Sequence, residues 1–334
     1  MQILYTVDNN FIPQLSASIC SVCENNKQAK TIDFYIIGQN ISTNNKIAIE
    51  KLAKSYHRTV QFKEIDHVAE IFSGLDTKGW NEIILARLLM DRFLPKNLSK
   101  ILYLDGDTIV NGSLDELWNT DLEQYILAAC PEFTISSKRK KILGLAPESS
   151  YVNSGVLLVN LTTWRHYDIG NRLVSLCSTK QDILFASDQD AINILLENKI
   201  KLLSPKYNYC NSYYFYPFSC LKKISQPSTM PDKQSFIKDV SNPIIIHFLG
   251  EERPWRKGNT HRFSNLYKYY LSLTPFKDTP QEPGWETYFF FWKLFNKATK
   301  HFPYIRYKII TSLIPIVMKA RKEERKKKER RLQS

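Results

Sequence analysis

The sequence lacks an apolar run long enough to cross a bilayer. Its longest apolar stretch near the C-terminus, residues 309–318, contains two hydroxyl residues and is interrupted by Pro315. A transmembrane helix needs roughly twenty apolar residues. The N-terminus also lacks the pattern of a secretory signal peptide, because Asp8 stands where such a peptide has its apolar centre. We therefore expect a protein that is made and kept in the cytosol.

Cysteine is scarce, with six residues in a chain of 334. Cys20 and Cys23 have the C-x-x-C spacing that occurs at redox and zinc sites. No second cysteine pair or nearby histidine completes a zinc site, and both residues fall in a helical apolar pattern. The sequence therefore predicts reduced thiols that pack in the core.

Residues 1–284 have little net charge. Residues 285–334 contain fourteen Lys or Arg and four Glu, so this segment carries +10 of the net +13. Charge alone also fits a non-enzymatic protein that binds nucleic acid or another anionic surface. The near-neutral body argues against nucleic acid as a partner. Ten aromatics in residues 285–307, followed by nine basic residues in 319–331, favour binding to an anionic membrane surface.

Short β-type runs alternate with helical patterns along the chain, which is typical of a layered α/β domain. No internal repeat or low-complexity linker occurs before residue 285. We predict strands at residues 3–7, 33–37, 60–65, 100–104, 126–130, 156–160 and 243–248, and helices at residues 13–23, 43–55 and 83–93.

Two carboxylates follow one of the predicted strands. Residues 101–107 read I-L-Y-L-D-G-D, so an apolar strand ends at Asp105, Gly106 and Asp107. Side chains at i and i+2 of an extended chain point to the same side, so both carboxylates can face one cation. Carboxylate sites suit hard divalent ions that bridge to phosphate oxygens. The alternative is a solvated turn with two acids.

A second polar segment follows the predicted strand at residues 243–248. Its His247 could supply a neutral imidazole as a third metal ligand. Gly250 could let a phosphate approach the backbone, and Arg253 could pair with it by charge. Taken alone, a histidine at this place is also commonly a core residue.

Together these segments resemble glycosyltransferase family 8. This family comprises retaining transferases of the GT-A fold and includes bacterial lipooligosaccharide and lipopolysaccharide galactosyl- and glucosyltransferases. The matching motifs follow the family's order over roughly residues 1–260. They are residues 5–10 (YTVDNN), 86–88 (ARL), 105–107 (DGD), 151–161 (YVNSGVLLVNL), 187–190 (SDQD) and 247–255 (HFLGEERPW).

The resemblance implies an α/β catalytic domain of the GT-A type over residues 1–284, with a Rossmann-like mixed sheet flanked by helices. A basic and aromatic tail follows at residues 285–334. It also implies a UDP-sugar donor and Mn²⁺, with Mg²⁺ as an alternative. The implied roles are uridine contact for Asp8 and Asn10, metal ligation for Asp105, Asp107 and His247, diphosphate binding for Gly250 and Arg253, backbone approach of the bound ligand at Gly106, and sugar contact or catalysis for Arg87, Asn153, Asp188 and Gln189.

The sequence departs from the family pattern at two places. Arg253 replaces the usual phosphate-binding Lys, which keeps the charge and changes the geometry. Residues 81–85 replace the small and hydroxyl residues that often precede the family's Ala-Arg, and Glu132 lies near the position of the acceptor-side Asp. The acceptor therefore stays open among a glycan, a glycolipid and a glycoprotein, and the donor between UDP-galactose and UDP-glucose.

Two further questions stay open from the residues. Residues 104–110 also fit the D-x-D-x-T signature of haloacid-dehalogenase-type phosphatases, in which Asp105 would be the nucleophile; that signature normally opens its domain.

For a transferase, retention requires a covalent intermediate or attack on the same face. Gln189 is a poor nucleophile, so we favour same-face attack, with Asp188 binding sugar hydroxyls. The expected location is the inner face of the cell membrane.

Overall fold

The computed structural model describes residues 1–65, 71–72, 75, 77, 81–227 and 230–333, apart from the side chains of residues 318, 321–322 and 324–333. The strands of this described part are β1 (Gln2–Asp8), β2 (Asp33–Gln39), β3 (Thr59–Glu64), β4 (Lys100–Leu104), β5 (Thr108–Val110), β6 (Leu127–Pro131), β7 (Val152–Asn160), β8 (Ile200–Leu202) and β9 (Ile245–His247).

Helices surround these strands. The α-helices of the described part are α1 (Ile12–Asn25), α2 (Thr43–Ser55), α3 (Met90–Phe93), α4 (Asp115–Trp118), α5 (Ser137–Ile142), α6 (Leu161–His166), α7 (Ile169–Thr179), α8 (Ser187–Leu195), α9 (Ser212–Phe215), α10 (Phe218–Ser225), α11 (Lys233–Ser241), α12 (Ser264–Ser272), α13 (Glu286–Thr299) and α14 (Pro303–Gln333). Short 3₁₀ helices lie at Asn9–Phe11, Glu82–Leu89 and Pro205–Tyr207.

A seven-stranded sheet forms the centre, in the order β3-β2-β1-β4-β7-β6-β8. The first four strands are parallel, β7 runs antiparallel to β4 and β6, and β8 is parallel to β6. Five successive residues of β1 are buried, because both faces of the sheet are covered. Ile3 and Tyr5 pack in one hydrophobic core and Leu4 in the other. The predicted mixed α/β sheet flanked by helices is confirmed.

Two predicted elements differ from the structure. The helix predicted at residues 83–93 is a 3₁₀ helix, Glu82–Leu89, that continues into the single turn of α3. Both helix types bring residues three apart to one side, so a short apolar pattern does not separate them. The strand predicted at residues 243–248 is three residues long. It pairs with β5, which was not predicted, in a separate two-stranded sheet.

All six cysteines are buried and unpaired, as predicted. Burial raises the pKa of the Cys20 thiol to about 11 and that of Cys23 to about 12. Both thiols are therefore protonated at neutral pH, which suits core packing and disfavours redox chemistry.

The C-terminal segment is helical and contacts the body. Arg306, 2% exposed, lies over the rings of Phe215, Trp292 and Phe295 and donates to Thr299. These contacts hold α13 and the start of α14 against α9. Among the described residues, no helix combines the length and apolar content needed to cross a membrane.

Candidate active site

A cavity of about 370 Å³ opens at the carboxyl ends of β1 and β4, the edge where open α/β sheets bind ligands. Eleven of the twelve predicted site residues line it. Its lining comprises Thr6, Val7, Asp8, Phe11, Asn81, Ile83, Ile84, Arg87, Asp105, Gly106, Asp107, Asn153, Ser154, Gly155, Ala186, Asp188, Gln189, His247, Leu249, Gly250 and Arg253. The exception is Asn10, whose side chain is exposed and whose backbone N–H donates to the Asp8 carboxylate at 3.0 Å.

The two carboxylates after β4 lie in a turn. The Asp105 carbonyl accepts hydrogen bonds from both the backbone N–H and the hydroxyl of Thr108. The expected extended geometry is therefore wrong. What brings the acids to the histidine is the pairing of β5 with β9, in which Thr108 lies opposite His247.

Three potential metal ligands converge at the base of the cavity. His247 Nε2 lies 3.1 Å from Asp107 Oδ1 and 3.5 Å from Asp105 Oδ2. Ligand atoms of the three residues fall within 4.8 Å of one another, and no other group of this kind occurs in the described residues. His247 is 1% exposed, and its Nε2 makes no hydrogen bond of good geometry. A buried, unpaired nitrogen facing two carboxylates fits a divalent cation such as Mn²⁺.

A chain of amides fixes the orientation of the His247 ring. The backbone N–H of Gly155 donates to Asn153 Oδ1 at 2.9 Å, so this oxygen is an acceptor. Asn208 therefore donates to it through Nδ2, at 2.8 Å. Asn208 Oδ1 then faces His247 Nδ1 at 2.9 Å and accepts a hydrogen bond from its N–H. A neutral His247 consequently carries its lone pair on Nε2, toward Asp105 and Asp107.

The charges of this cluster depend on each other. Burial opposes ionisation of Asp107, but His247 and Arg253 outweigh it and lower the pKa of Asp107. Burial likewise disfavours the imidazolium, but Asp107 and then Asp105 raise the pKa of His247. The two carboxylates thus favour a positive charge at Nε2. A proton and a metal ion would therefore compete for Nε2 of His247.

Two glycines allow close approach at this site. A Cβ at Gly155 would overlap the His247 ring and lie 2.7 Å from Asp105 Oδ2. A Cβ at Gly106 would lie 3.0 Å from the Phe11 ring. Gly155 therefore needs the absence of a side chain, which the sequence did not indicate, whereas a side chain at Gly106 would require Phe11 and Val7 to shift slightly.

Arg87 joins the carboxylates of two motifs. Its Nη2 lies 2.9 Å from Asp105 Oδ1, and its Nε lies 3.3 Å from Asp188 Oδ2. Nη1 donates to the Ser154 carbonyl at 3.1 Å. Arg87 is 4% exposed, and the two carboxylates raise its pKa despite the burial. Its contacts indicate a residue that orients Asp105 and Asp188.

Gln189 is held at the inner wall of the cavity. Its Oε1 accepts from the Ser154 backbone N–H at 3.0 Å, and its Nε2 donates to the Tyr151 hydroxyl at 3.3 Å. Asn153 Nδ2 donates to Glu132 Oε2 at 3.2 Å. These bonds fix the amide oxygen of Gln189 beside Ser154 and place Glu132 behind Asn153.

The opposite wall of the cavity carries Asp8, Gly250 and Arg253. Asp8 accepts from Asn81 Nδ2 at 2.6 Å, which ties the loop after β1 to the 3₁₀ helix. Gly250 has a φ of +73°, a backbone conformation that favours glycine. Arg253 Nη2 lies 3.2 Å from Asp107 Oδ2, and its buried Nε has no hydrogen-bond partner. That free donor fits an anion.

Sequence reasoning missed one residue of this site. Asn208 is 3% exposed and lies between Tyr207 and Tyr209, outside every quoted motif. A single polar residue in an aromatic stretch gives no spacing pattern. The available signal was its amide in an otherwise apolar context, which requires a buried partner.

Comparisons with known proteins identify relatives of this chain. A model of glycosyl transferase family 8 matches residues 2–259. A putative glycosyltransferase of Haemophilus influenzae is 32% identical over 78% of this chain and 74% of its own. Lipopolysaccharide 1,2-glucosyltransferase of Escherichia coli K12 is 25% identical over 83% of this chain and 79% of its own.

A solved structure also has a similar fold. The crystal structure of the galactosyltransferase LgtC, in complex with donor and acceptor sugar analogs, superposes with a TM-score of 0.70. It covers 86% of this chain and 99% of the LgtC chain at 23% identity. This likeness confirms the predicted GT-A fold.

Proposed function

The chain belongs to glycosyltransferase family 8, and we propose that it transfers galactose or glucose from a UDP-sugar to a glycan, glycolipid or glycoprotein acceptor, with retention of configuration. The observation that carries this proposal is the convergence of Asp105, Asp107 and His247 beneath Arg253 in one cavity. A nucleotide sugar needs such a site, because its diphosphate leaves with negative charge.

We propose that Asp105, Asp107 and His247 would hold Mn²⁺, since two carboxylates and an imidazole form a mixed donor set. Bound there, the cation would neutralise charge on the departing diphosphate. Arg253 would exchange its ion pair with Asp107 for an ion pair with the phosphate, and so contribute a second positive charge. Gly250 would let the phosphate approach the backbone, and the loop of Asp8 and Asn10 would contact the uridine.

Gln189 and Asp188 lie on the sugar side of the cavity. An amide is a poor nucleophile, so we favour attack by the acceptor on the same face from which the diphosphate leaves. The carbonyl oxygen of Gln189 would face the positive charge that develops on the sugar ring. Asp188, held by Arg87 and Ser154, would bind sugar hydroxyls.

The phosphatase alternative is not favoured. Asp105 Oδ1 accepts from the Tyr103 hydroxyl at 2.6 Å and pairs with Arg87, so that oxygen is engaged. A phosphatase function would also leave the cluster of Asp105, Asp107 and His247 without a role. Incubation with a phosphate monoester should therefore leave Asp105 free of acyl-phosphate.

A donor panel tests the proposal. The full chain should release UDP from UDP-galactose or UDP-glucose faster than from their N-acetyl forms. Proton NMR of the product should show an α-linkage from the α-linked donor. Failure to release UDP from all four donors would contradict the function, and a β-linkage would contradict retention.

We also propose that residues 285–334 place the enzyme on the anionic inner face of the cell membrane. The support is the net +10 of this segment and its ten aromatics in residues 285–307. Trp and Tyr favour the headgroup region, and basic residues are attracted to anionic lipid. Such binding is peripheral and is weakened by salt.

A further inference from the structure

A groove of about 820 Å³ runs between α13 and α14, outside the catalytic cavity. Six aromatic and five aliphatic residues line it, and Glu251 is the single charged residue among its lining in the described part of the chain. Several of its apolar side chains face solvent: Phe291 is 62% exposed, Leu313 48% and Val317 46%. Contiguous apolar surface of this kind marks a binding site for an apolar partner.

The groove reaches the catalytic cavity. Gly250 lines both spaces, and Phe185 in the groove directly precedes Ala186 in the cavity. The wall is tied to the same loop, because the Arg256 guanidinium stacks 3.6 Å from the Trp285 ring and pairs with Glu251. A molecule whose head occupies the cavity can therefore extend into the groove.

The lining of the groove includes Ala320, on α14. The lining residues of α14 run from Ile310 to Ala320, which is roughly 15 Å of helix. The sequence becomes strongly basic from Lys319 onward. The groove thus borders both the catalytic cavity, through Gly250, and the start of a cationic segment, at Ala320, which fits a glycolipid that lies at an anionic lipid surface.

We propose that this groove binds one hydrocarbon chain of a glycolipid acceptor whose sugar enters the catalytic cavity. The proposal rests on the proposed transferase function and selects the glycolipid among the three acceptor classes. A protein acceptor would not need an apolar groove that borders the reaction site.

Binding is measured first, without catalysis. The probe is a decyl glycoside with a brominated chain, added below its micelle concentration to the full chain without vesicles. Trp285 and Trp292 line the groove, so their fluorescence should be quenched. Leu313→Gln should raise the Kd by about tenfold, because the chain loses apolar contact. Ile316→Gln is the matched control, since Ile316 is 65% exposed on the same helix and does not line the groove.

Equal effects of both substitutions, or absence of quenching, would overturn the proposal. A doubled mass by light scattering, with the groove closed by a second copy, would also overturn it.

Transfer is measured second, with methyl, octyl and decyl glycosides of one sugar. The KM should fall as the chain lengthens, by at least about tenfold from methyl to decyl. Leu313→Gln should remove this dependence without changing UDP release in the absence of acceptor. A KM independent of chain length refutes the groove and leaves the transferase intact. Absence of UDP release from every donor refutes the transferase, and the quenching experiment then still decides the groove.

Discussion

At the scale of single residues, the orientation of His247 depends on Asn208. Removing the Asn208 amide leaves the buried Nδ1–H of His247 without its acceptor and frees the ring to turn. We expect Asn208→Ala to raise the Mn²⁺ concentration for half-maximal activity by roughly 10–100-fold, the usual cost of losing a partner behind a metal ligand. Saturating Mn²⁺ should restore part of the rate.

Metal-dependent UDP release measures this effect. Asn171→Ala, at an exposed position, is the control and should behave as wild type. A rate that falls while the Mn²⁺ requirement stays unchanged would show that Asn208 acts elsewhere.

Gly155 makes a second prediction at this scale. Gly155→Ala would push a methyl group into His247 and Asp105, so one ligand must move. Displacement of a reacting group by about 1 Å can cost on the order of 100-fold in rate, and we expect at least this loss. Gly112→Ala is the control, because its Cβ would lie 3.5 Å from Ile244, an ordinary contact. A wild-type rate for Gly155→Ala would contradict the ligand geometry.

At the scale of elements, the loop between β9 and α12 contains a buried neutral histidine. His261 is 6% exposed, and its Nδ1 accepts from the Phe263 backbone N–H at 3.2 Å. Burial, with a smaller effect of Arg262, lowers the pKa of His261 to about 4. Below pH 6.5 the unfolded chain therefore binds a proton that the folded chain does not. Stability should fall as the pH drops from about 6.5 to about 4.

The magnitude is about 1.4 kcal/mol for each pH unit in this window. Chemical denaturation at pH 6.5 and pH 5 should show a smaller loss for His261→Asn than for wild type, because asparagine does not bind a proton in this range. Its side-chain oxygen can still accept from the Phe263 backbone N–H. His166→Asn, at an exposed position, should keep the wild-type loss. Equal losses in all three proteins would contradict a neutral His261.

The elements also show how much of the fold and the site can be predicted from the sequence. The apolar run before Asp105 predicted β4, and the motifs predicted eleven residues that line one cavity. The three-residue β5 was not predicted, because so short a run shows no periodicity of apolar residues. Its pairing with β9 is what sets the distance between Asp107 and His247. Such long-range register, and the partner of a lone residue such as Asn208, arise only from packing.

At the scale of the whole molecule, the tail combines packed and exposed parts. Arg306 is buried, and Tyr304 and Tyr307 pack against the core, so a cut after residue 308 spares these contacts. The removed segment carries nine basic residues and three Glu. We expect the shortened protein to lose sedimentation with anionic vesicles and to keep UDP release within about twofold, because no lining residue of the catalytic cavity is removed.

Neutral vesicles are the control for charge and should bind neither protein strongly. Equal sedimentation of the shortened and full chains with anionic vesicles would show that the basic segment is only a solvated helix face.

Metal dependence of UDP release tests the central claim most directly. The full chain should release UDP from UDP-galactose or UDP-glucose, stop in excess chelator, and recover when Mn²⁺ is restored. Asp107→Ala should stay inactive throughout while melting close to wild type, because its carboxylate lies at the cavity and outside the hydrophobic core. Full turnover of donor in excess chelator would contradict the account.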